Sequence, residues 1–319
     1  MVDSIIIQTL LGLSIQLSYQ KIVMEAMTLF NKYYPPNSVA FDELVRAQVQ
    51  AALEEDVGSG DLTASLVPPL LNVSATIVVR ETATICGLAW VNACFKQIDP
   101  LVKIDWHVSE GERVNPNQSL GVIKGLARSL LTGERCALNF LQTLSATATE
   151  TRKYVDAIAG TQSQILDTRK TIPNLRLAQK YAVTVGGGNN QRLALYDGIL
   201  IKENHIESAG SISAVMAQAH SLNSGKNIQI EVENLTQLQE AISAGATSIL
   251  LDNFSLALLT DAVAMKNKLN KGVILEASGG ITLENVRDIA LTGVNRISIG
   301  AITKNVQAID LSMRISKAC

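Results

Sequence analysis

From about residue 160 onward, short apolar runs alternate with longer stretches in which apolar residues recur every three to four positions. The short runs are typical of buried strands, and the longer spacing is that of a helix with one buried face. Strand, helix and strand at intervals of about 20–30 residues predict a parallel sheet. The predicted strands cover residues 164–168, 197–202, 227–232, 248–252, 273–277 and 296–300.

A barrel accounts for this alternation better than an open sheet does. An open doubly wound sheet predicts the spacing G-x-G-x-x-G after its first strand. The triple glycine at 186–188 neither has that spacing nor follows a predicted strand. The sequence therefore predicts an α/β barrel with parallel strands.

The pattern differs in the first half of the chain. Residues 41–53 have helical spacing, and an acidic, turn-rich stretch follows at 54–61. Residues 73–123 alternate apolar and polar positions in short runs, which predicts a mainly antiparallel sheet. Residues 126–149 are helical in pattern, as one helix or two. These features predict a small domain ahead of the barrel.

The N-terminal segment allows two interpretations. Residues 5–17 are apolar but too short to cross a membrane, and they lack the basic start and cleavage site of a secretory signal. An amphipathic docking helix is one interpretation. A non-native extension is the other, because Met24 and Met27 could each serve as a start.

The composition limits the classes of partner that the protein can bind and indicates its cellular compartment. There are 27 basic and 29 acidic residues, and only 4% of the chain is aromatic, which argues against a general nucleic-acid binder. The four cysteines show no C-x-x-C spacing, so the sequence predicts reduced structural thiols in a cytoplasmic protein. One of them, Cys136, follows a charged motif, and packing is its expected role.

Charged residues stand at the ends of the predicted strands. In barrels of this kind the reactive groups lie at the carboxyl ends of the strands. Asp167 ends the first predicted strand and Lys202 ends the second, and the next three end at Glu231, Asp252 and Glu276. This repetition predicts an active site at that mouth of the barrel.

The charges are also segregated along the chain. Residues 135–202 carry nine basic and four acidic residues, a net charge of +5, whereas residues 203–261 carry one basic and seven acidic residues, a net charge of −6. Arginine side chains in the first stretch are suited to bind carboxylate or phosphate in a bidentate way. In the second stretch, Glu231 and Asp252 are spaced to lie on adjacent strands, where two carboxylates suit Mg²⁺. Ordinary solvated helix charges are expected at Arg152, Lys153 and Lys180.

Two glycine turns follow late strands, at 277–281 and 298–301. Backbone N–H groups in such turns bind phosphate, which predicts a phosphorylated ligand. The three histidines, His107, His205 and His220, form no recognisable nucleophile motif. His205 lies close to Lys202 in sequence, and both a structural and a functional role are open for it.

Eight motifs occur in the order found in one enzyme family. They read EEDVGSGDLT, LTGERCALNFLQTLS, DTRKTIPNLR, GGGNNQRLALYDGILIKENH, IEVEN, LLDNF, LEASGGI and ISIGAI. From residue 41 to the C-terminus, the chain resembles the quinolinate phosphoribosyltransferases, also called nicotinate-nucleotide pyrophosphorylases (carboxylating).

The resemblance implies a fold and a reaction. The fold is a small N-terminal α/β sandwich domain followed by an incomplete, seven-stranded α/β barrel, in homodimers whose small domains cover the partner's barrel mouth. The reaction joins quinolinate to phosphoribosyl pyrophosphate in a Mg²⁺-dependent step of NAD biosynthesis. Its products are nicotinate mononucleotide, pyrophosphate and CO₂. No nucleic acid and no membrane is expected among the partners.

The resemblance also implies roles for individual residues. Arg169 and Arg192 match the arginines that hold the quinolinate carboxylates, and Lys202 matches the lysine of the same pocket. Arg135 matches an arginine supplied by the neighbouring subunit. Lys170 matches a lysine that meets the phosphoribosyl substrate.

Glu231 and Asp252 match the acids that face the ribose and the metal. Together with Lys170 and Lys202 they form the expected catalytic set. The 5′-phosphate is expected to lie in a cradle formed by Ser278, Gly279, Gly280, Gly300 and Ala301.

One position of the substrate-binding set departs from the family. The family usually has His-Arg after the triple glycine, whereas this chain has Gln191 followed by Arg192. Glutamine cannot become cationic, so a related transferase that acts on nicotinate or another ring acid is the alternative hypothesis. A phosphate-binding barrel without catalytic activity is a rival from another class.

The expected organisation has four segments. Residues 1–40 form an N-terminal extension of unknown role, and residues 41–141 form the sandwich domain. Residues 142–306 form the catalytic barrel. Residues 307–319 are expected to return to the N-terminal domain.

Overall fold

The computed structural model describes residues 35–222 and 224–317. The docking helix and the alternative starts predicted within residues 1–34 lie outside the described residues, as does Cys319. None of the helices in the described ranges combines the length and the apolar character that a membrane span requires.

Helices and strands follow one another along the whole described chain. The α-helices are α1 (Val39–Val57), α2 (Leu88–Ile98), α3 (Ala127–Ala157), α4 (Arg176–Val185), α5 (Glu203–Ala209), α6 (Ile212–Ser221), α7 (Leu235–Ser243), α8 (Leu256–Leu269), α9 (Val286–Leu291) and α10 (Ala301–Lys304). The strands are β1 (Asn72–Val79), β2 (Ala83–Thr84), β3 (Lys103–Trp106), β4 (Arg113–Val114), β5 (Ser119–Leu126), β6 (Gln164–Leu166), β7 (Ile199–Ile201), β8 (Ile228–Val232), β9 (Ser248–Asp252), β10 (Ile274–Ser278), β11 (Arg296–Ser298) and β12 (Leu311–Lys317).

An antiparallel sheet in the order β12-β1-β5-β3 organises the first part of the fold. Strand β1 buries every second residue, which is the alternation of a strand with one face on a core. The last strand, β12, pairs with β1 along its length, with Leu311 opposite Val79. The chain therefore returns to this sheet after the barrel is complete.

Helix α1 closes one side of the small core. The Ser38 hydroxyl accepts a hydrogen bond from the backbone N–H of Phe41 and caps the helix. The Phe41 ring lies 5.6 Å from that of Trp90 and 5.2 Å from that of Tyr181. The helix runs to Val57, four residues beyond its predicted end, so the first half of the predicted acidic loop is helical.

Helix α3 connects the two parts of the fold as one unbroken element of 31 residues. It packs against α2 of the small domain and against α4 beside the barrel. A buried hydroxyl, Ser145, fixes the contact by accepting a hydrogen bond of 2.9 Å from the backbone N–H of Cys86. Of the two interpretations left open by the sequence, the single helix is confirmed.

The parallel sheet has the strand order β6-β11-β10-β9-β8-β7. All predicted barrel strands are present, with ends within two residues of the predicted ones. The described residues give six hydrogen-bonded strands rather than seven. The barrel is open between β6 and β7, where Asn189, after the glycine turn, forms only an isolated bridge to Leu166.

The barrel has an apolar outside and a polar inside. The strand residues that pack beneath the helices include Ile165, Ile201, Ile230, Ile249, Leu275 and Ile297. Since successive side chains of a strand point to opposite faces, the alternate positions face the interior. These inward positions include Gln164, Gln229, Ser248, Glu276, Arg296 and Ser298. Barrel interiors are usually filled with branched apolar side chains, so this one is unusually polar.

Candidate active site

A buried ion pair anchors the loop that closes the open side of the barrel. Asp167 and Lys180 are both fully buried, and the Lys180 ammonium donates to Asp167 Oδ1. Asp167 also accepts from the backbone N–H of Gln191 at 2.9 Å and from the Asn190 amide at 2.7 Å. Burial raises the pKa of Asp167, and the nearby Lys180 opposes that rise. Burial likewise lowers the pKa of Lys180.

Two arginines stand on neighbouring loops at the open side of the barrel, Arg169 after β6 and Arg192 before β7. Arg192 Nη1 donates to the carbonyl of Gly198 at 3.1 Å. Burial lowers the pKa of Arg192, and the positive charge of Arg169 lowers it further. Within the described residues, the buried Nε of Arg169 has no hydrogen-bond partner. Two guanidinium groups whose like charges act on each other and an unpaired buried donor are an arrangement that an anion would stabilise.

Lys202 and Glu231 form an ion pair across β7 and β8. The distance from Lys202 Nζ to Glu231 Oε2 is 2.7 Å, and the Lys202 side chain is 43% exposed. The backbone N–H of Lys202 donates to Nδ1 of His205 at 3.1 Å. The histidine ring thus caps helix α5, which is a structural contact for the residue whose role the sequence leaves open.

Asp252 lies beside the first glycine turn. In the sheet register, Asp252 is level with Ser278 and Ser278 is level with Ser298, so the strand ends carry the two turns side by side. Gly279 has φ +96°, and a Cβ at this position would collide with the Asn253 side chain. Only glycine therefore fits the close approach of these two loops.

Lys170 crosses the second glycine turn. A Cβ on Gly300 would lie 3.1 Å from Lys170 Cδ, so the lysine stem passes directly over the glycine. The carbonyl of Lys170 accepts from the Thr303 hydroxyl at 2.7 Å. This contact ties the lysine to the segment that begins at Ala301.

The Lys202–Glu231 pair and the glycine turns thus meet at the carboxyl ends of the barrel strands, and the two arginines stand on loops at its open side. Residues 61–145 match the family described as quinolinate phosphoribosyl transferase, N-terminal domain, and residues 147–314 match its C-terminal domain. The chain belongs to the quinolinate phosphoribosyltransferase family. The resemblance inferred from the motifs is confirmed.

Relatives of this family are similar over most of their length. The probable nicotinate-nucleotide pyrophosphorylase (carboxylating) of Bacillus subtilis (strain 168) is 41% identical over 268 residues, covering 82% of this chain and 90% of that protein. Quinolinate phosphoribosyltransferase (decarboxylating) 1 of Nicotiana glauca is 35% identical over 302 residues, covering 88% and 84%. The solved nicotinate-nucleotide pyrophosphorylase of Francisella tularensis superposes with a TM-score of 0.83 at 44% identity, covering 86% and 97%. The predicted mixed α/β class is confirmed.

Arg135 is the predicted site residue that stands apart from the others. It is exposed on helix α3, in the half that packs against α2. Among the described residues, no hydrogen bond or ion pair joins it to the residues of the barrel mouth. A single chain therefore does not bring Arg135 together with the rest of the expected site.

Two predictions about where charged side chains lie were wrong. The sequence places Glu276 at a strand end, but β10 continues to Ser278 and Glu276 is fully buried inside the barrel. The helical pattern predicts a solvated Lys180, but this lysine is fully buried because it neutralises Asp167. Lys153, also predicted to be solvated, forms an exposed pair with Glu150.

Sequence reasoning missed the uncharged residues of the interior. Gln229, in mid-strand on β8, bonds to both Gln191 and Glu276. A cavity of about 810 Å³ enters the barrel from the opposite end and reaches these residues and Arg192. An amide inside a strand carries no charge or motif signal, so only its inward register in β8 could have indicated it.

Proposed function

We propose that the chain transfers the phosphoribosyl group of phosphoribosyl pyrophosphate to quinolinate with loss of CO₂, giving nicotinate mononucleotide and pyrophosphate in NAD biosynthesis. The observation that carries the proposal is the pair of arginines, Arg169 and Arg192, whose like charges act on each other, together with the buried Nε of Arg169 that has no partner among the described residues. The two arginines stand on loops at the open side of the barrel, and the glycine turns and the Lys202–Glu231 pair lie at the carboxyl ends of its strands. Two carboxylates on a ring would satisfy both arginines, including the unpaired Nε of Arg169.

The acidic and the basic side chains have separate roles in the transfer step. The transition state has oxocarbenium character at the ribose, and the carboxylates of Glu231 and Asp252 would stabilise that positive charge. Lys170 would meet the departing pyrophosphate. The 5′-phosphate would be bound by backbone N–H groups of the turns at Ser278–Gly280 and at Gly300–Ala301.

Loss of CO₂ follows from the chemistry of the ring. Once ribosylated, the ring nitrogen is cationic and stabilises the electron pair left on the neighbouring carbon when the C–C bond to the carboxylate breaks. That carbon then takes up a proton. The arginines keep the second carboxylate in place during both steps.

Glu231 and Asp252 would also hold Mg²⁺. They are oxygen donors on the neighbouring strands β8 and β9, which suits a hard cation that keeps waters and shares substrate phosphates. Within the described part of the chain, no group of three or more His, Cys, Asp or Glu side chains forms a metal site, so substrate oxygens would complete the ligand set. The ion would supply positive charge at the leaving pyrophosphate.

Product analysis tests this function. Incubated with phosphoribosyl pyrophosphate, Mg²⁺ and carboxyl-labelled quinolinate, the protein is expected to release labelled CO₂ and nicotinate mononucleotide in equal amounts. Nicotinate in place of quinolinate is the control and should give no product. Activity on nicotinate alone would establish the alternative hypothesis instead.

The active form is proposed to be a cytoplasmic homodimer. Leu62, Leu66 and Leu70, which we call the leucine patch, are 88%, 85% and 82% exposed within one short segment, and exposed apolar patches mark interfaces. This leucine patch lies against helix α3, because Thr132 bonds to Asp61. In the proposed dimer a second copy covers this patch, and Arg135 serves the barrel mouth of the partner. The four cysteines, predicted from the sequence to be reduced structural thiols, support the cytoplasmic part of the proposal.

Subunit mixing tests the shared site. Arg135→Ala and Lys202→Ala homodimers should each be nearly inactive. After subunit exchange, a mixed dimer has one intact site, so a 1:1 mixture should recover about a quarter of parental activity. Exchange is verified by tagging one variant. No recovery in verified mixed dimers would show that Arg135 acts within its own chain or not at all.

A further inference from the structure

A line of hydrogen bonds crosses the inside of the barrel from β10 to the loop that carries Arg192. The backbone N–H of Arg192 donates to Oε1 of Gln191 at 2.6 Å. Nε2 of Gln191 donates to Oε1 of Gln229 at 2.6 Å. Nε2 of Gln229 donates to Oε2 of Glu276 at 2.9 Å. We call this set of side chains the amide relay.

The relay has one possible direction. A backbone N–H can only donate, so Gln191 must present its oxygen to Arg192 and its NH₂ group to Gln229. Gln229 must then present its own NH₂ group to Glu276, whose carboxylate accepts. Turning either amide around would place like groups face to face, which is costly inside a protein.

Hydrogen bonds rather than close packing hold the relay. The cavity of about 810 Å³ borders Gln191, Gln229 and Glu276, and Gln191 is half-buried beside it while Gln229 and Glu276 are buried. Side chains in a close-packed core are fixed by their neighbours, and this constraint is weaker beside a cavity. The orientation of Gln191 therefore depends on its polar partners.

The backbone of Gln191 is held from the other side. Its N–H donates to Asp167 at 2.9 Å, and its carbonyl accepts from Lys180 Nζ at 3.0 Å. The buried ion pair and the amide relay thus hold Gln191, the residue directly before Arg192, from two sides. The Arg192 side chain itself is tied to the carbonyl of Gly198 through Nη1, which leaves its other donors for a ligand.

We propose that Gln229 and Glu276 are positioning residues that, through Gln191, fix the place where Arg192 meets the ring acid. The inference rests on the proposed function, in which Arg192 binds a carboxylate. Both groups of the Gln191 amide are engaged inside the barrel, so Gln191 sets the position of Arg192 rather than touching the substrate. Small displacements of a binding group cost large factors in rate.

The first experiment removes the central amide. Gln229→Leu should raise KM for quinolinate about 10- to 100-fold and leave KM for phosphoribosyl pyrophosphate within about twofold, because only the Arg192 side of the site shifts. Asn295→Leu is the matched control. Asn295 accepts from Lys266 and from the backbone of Leu275 at the far end of the barrel, so its loss should lower the melting temperature without changing either KM.

The second experiment swaps the polarity of the relay. Gln229→Glu places a carboxylate against Glu276 and should impair quinolinate binding as Gln229→Leu does. Adding Glu276→Gln restores a donor opposite the introduced carboxylate and should return KM to within about threefold of the parent, since all three hydrogen bonds can form again. A merely structural role for these residues would not produce this rescue.

The outcomes separate the inference from the proposed function. Parental KM for quinolinate in folded Gln229→Leu protein, or no rescue in the swapped pair, would overturn the inference while the function stands. A parent protein without quinolinate-dependent activity would overturn the function and the inference with it. An equal rise in both KM values would also reject the relay, because it would indicate general distortion of the mouth.

Discussion

Replacing Lys202 with alanine is expected to lower kcat/KM for quinolinate by about 10³-fold, the scale seen when one preorganised electrostatic group is removed from an active site. The lysine is the partner of Glu231 at 2.7 Å and stands at the mouth where anionic substrates enter. Its loss removes a cation from the pocket and leaves the Glu231 carboxylate unpaired. Steady-state kinetics with both substrates measures the effect.

Lys268→Ala is the control for the loss of a positive charge. Lys268 is exposed on helix α8, away from the mouth, and its replacement should leave kcat/KM unchanged. The melting temperature of Lys202→Ala should stay close to that of the parent, since the Lys202 side chain is 43% exposed. A Lys202→Ala protein with parental kinetics would show that Lys202 takes no part in the reaction, whereas the rival hypothesis, a phosphate-binding barrel without catalytic activity, predicts no turnover by the parent itself.

Replacing Lys180 with methionine is expected to reduce the free energy of unfolding by about 3–5 kcal/mol, the usual cost of breaking a buried ion pair from one side. Lys180 and Asp167 are both fully buried, so the substitution leaves a carboxylate without its cation in the interior. Urea denaturation of parent and variant at pH 8 measures the difference. A loss below about 1 kcal/mol would mean that water or a rearranged donor replaces the ammonium.

The same variant should depend on pH in a defined direction. Burial already raises the pKa of Asp167 in the folded protein, and removing Lys180 removes the charge that opposes this rise. The folded state then holds a proton that the unfolded state releases. The contribution of Asp167 to stability is therefore greatest at acidic pH and is lost as pH rises through its folded pKa. The deficit of Lys180→Met relative to the parent should shrink from pH 8 to pH 5, and adding Asp167→Asn should recover part of it at pH 8.

The outward-facing residues of the barrel strands were predictable because each strand and each helix carries its own pattern of apolar positions in the sequence. Each barrel strand buries residues such as Ile230 and Leu275 beneath helices, which produces short apolar runs with helical stretches between them. The glycine turns were predictable for a similar reason. Gly279 has a positive φ and no room for a Cβ. Only glycine meets both requirements, so the sequence itself marks the position of the turn.

The interior could not be predicted in the same way. An alternating pattern identifies a strand but does not say which face meets the helices and which faces the inside of a polar barrel. Glu276 therefore resembles a residue of the rim. Lys180 resembles a solvated helix residue, because its partner Asp167 comes from a different element and is brought to it only by the closed fold.

The assembly cannot be read from a single chain. Arg135 is assigned from a motif, and its exposed position on α3 is compatible with a role in the active site of a neighbouring subunit. Whether it serves one is decided by the subunit-mixing experiment. Gln191 is a different case, since its unusual identity is visible in the sequence while its inward orientation is not.

The return of β12 to β1 has a consequence for biosynthesis. The ribosome makes β1 more than two hundred residues before the strand that covers its edge, with the whole barrel emerging between them. Until then the nascent chain presents an unpaired strand edge, the kind of surface that nucleates aggregation. The small sheet is thus the earliest begun and the last completed unit of the fold, and chaperone demand should be concentrated in that interval.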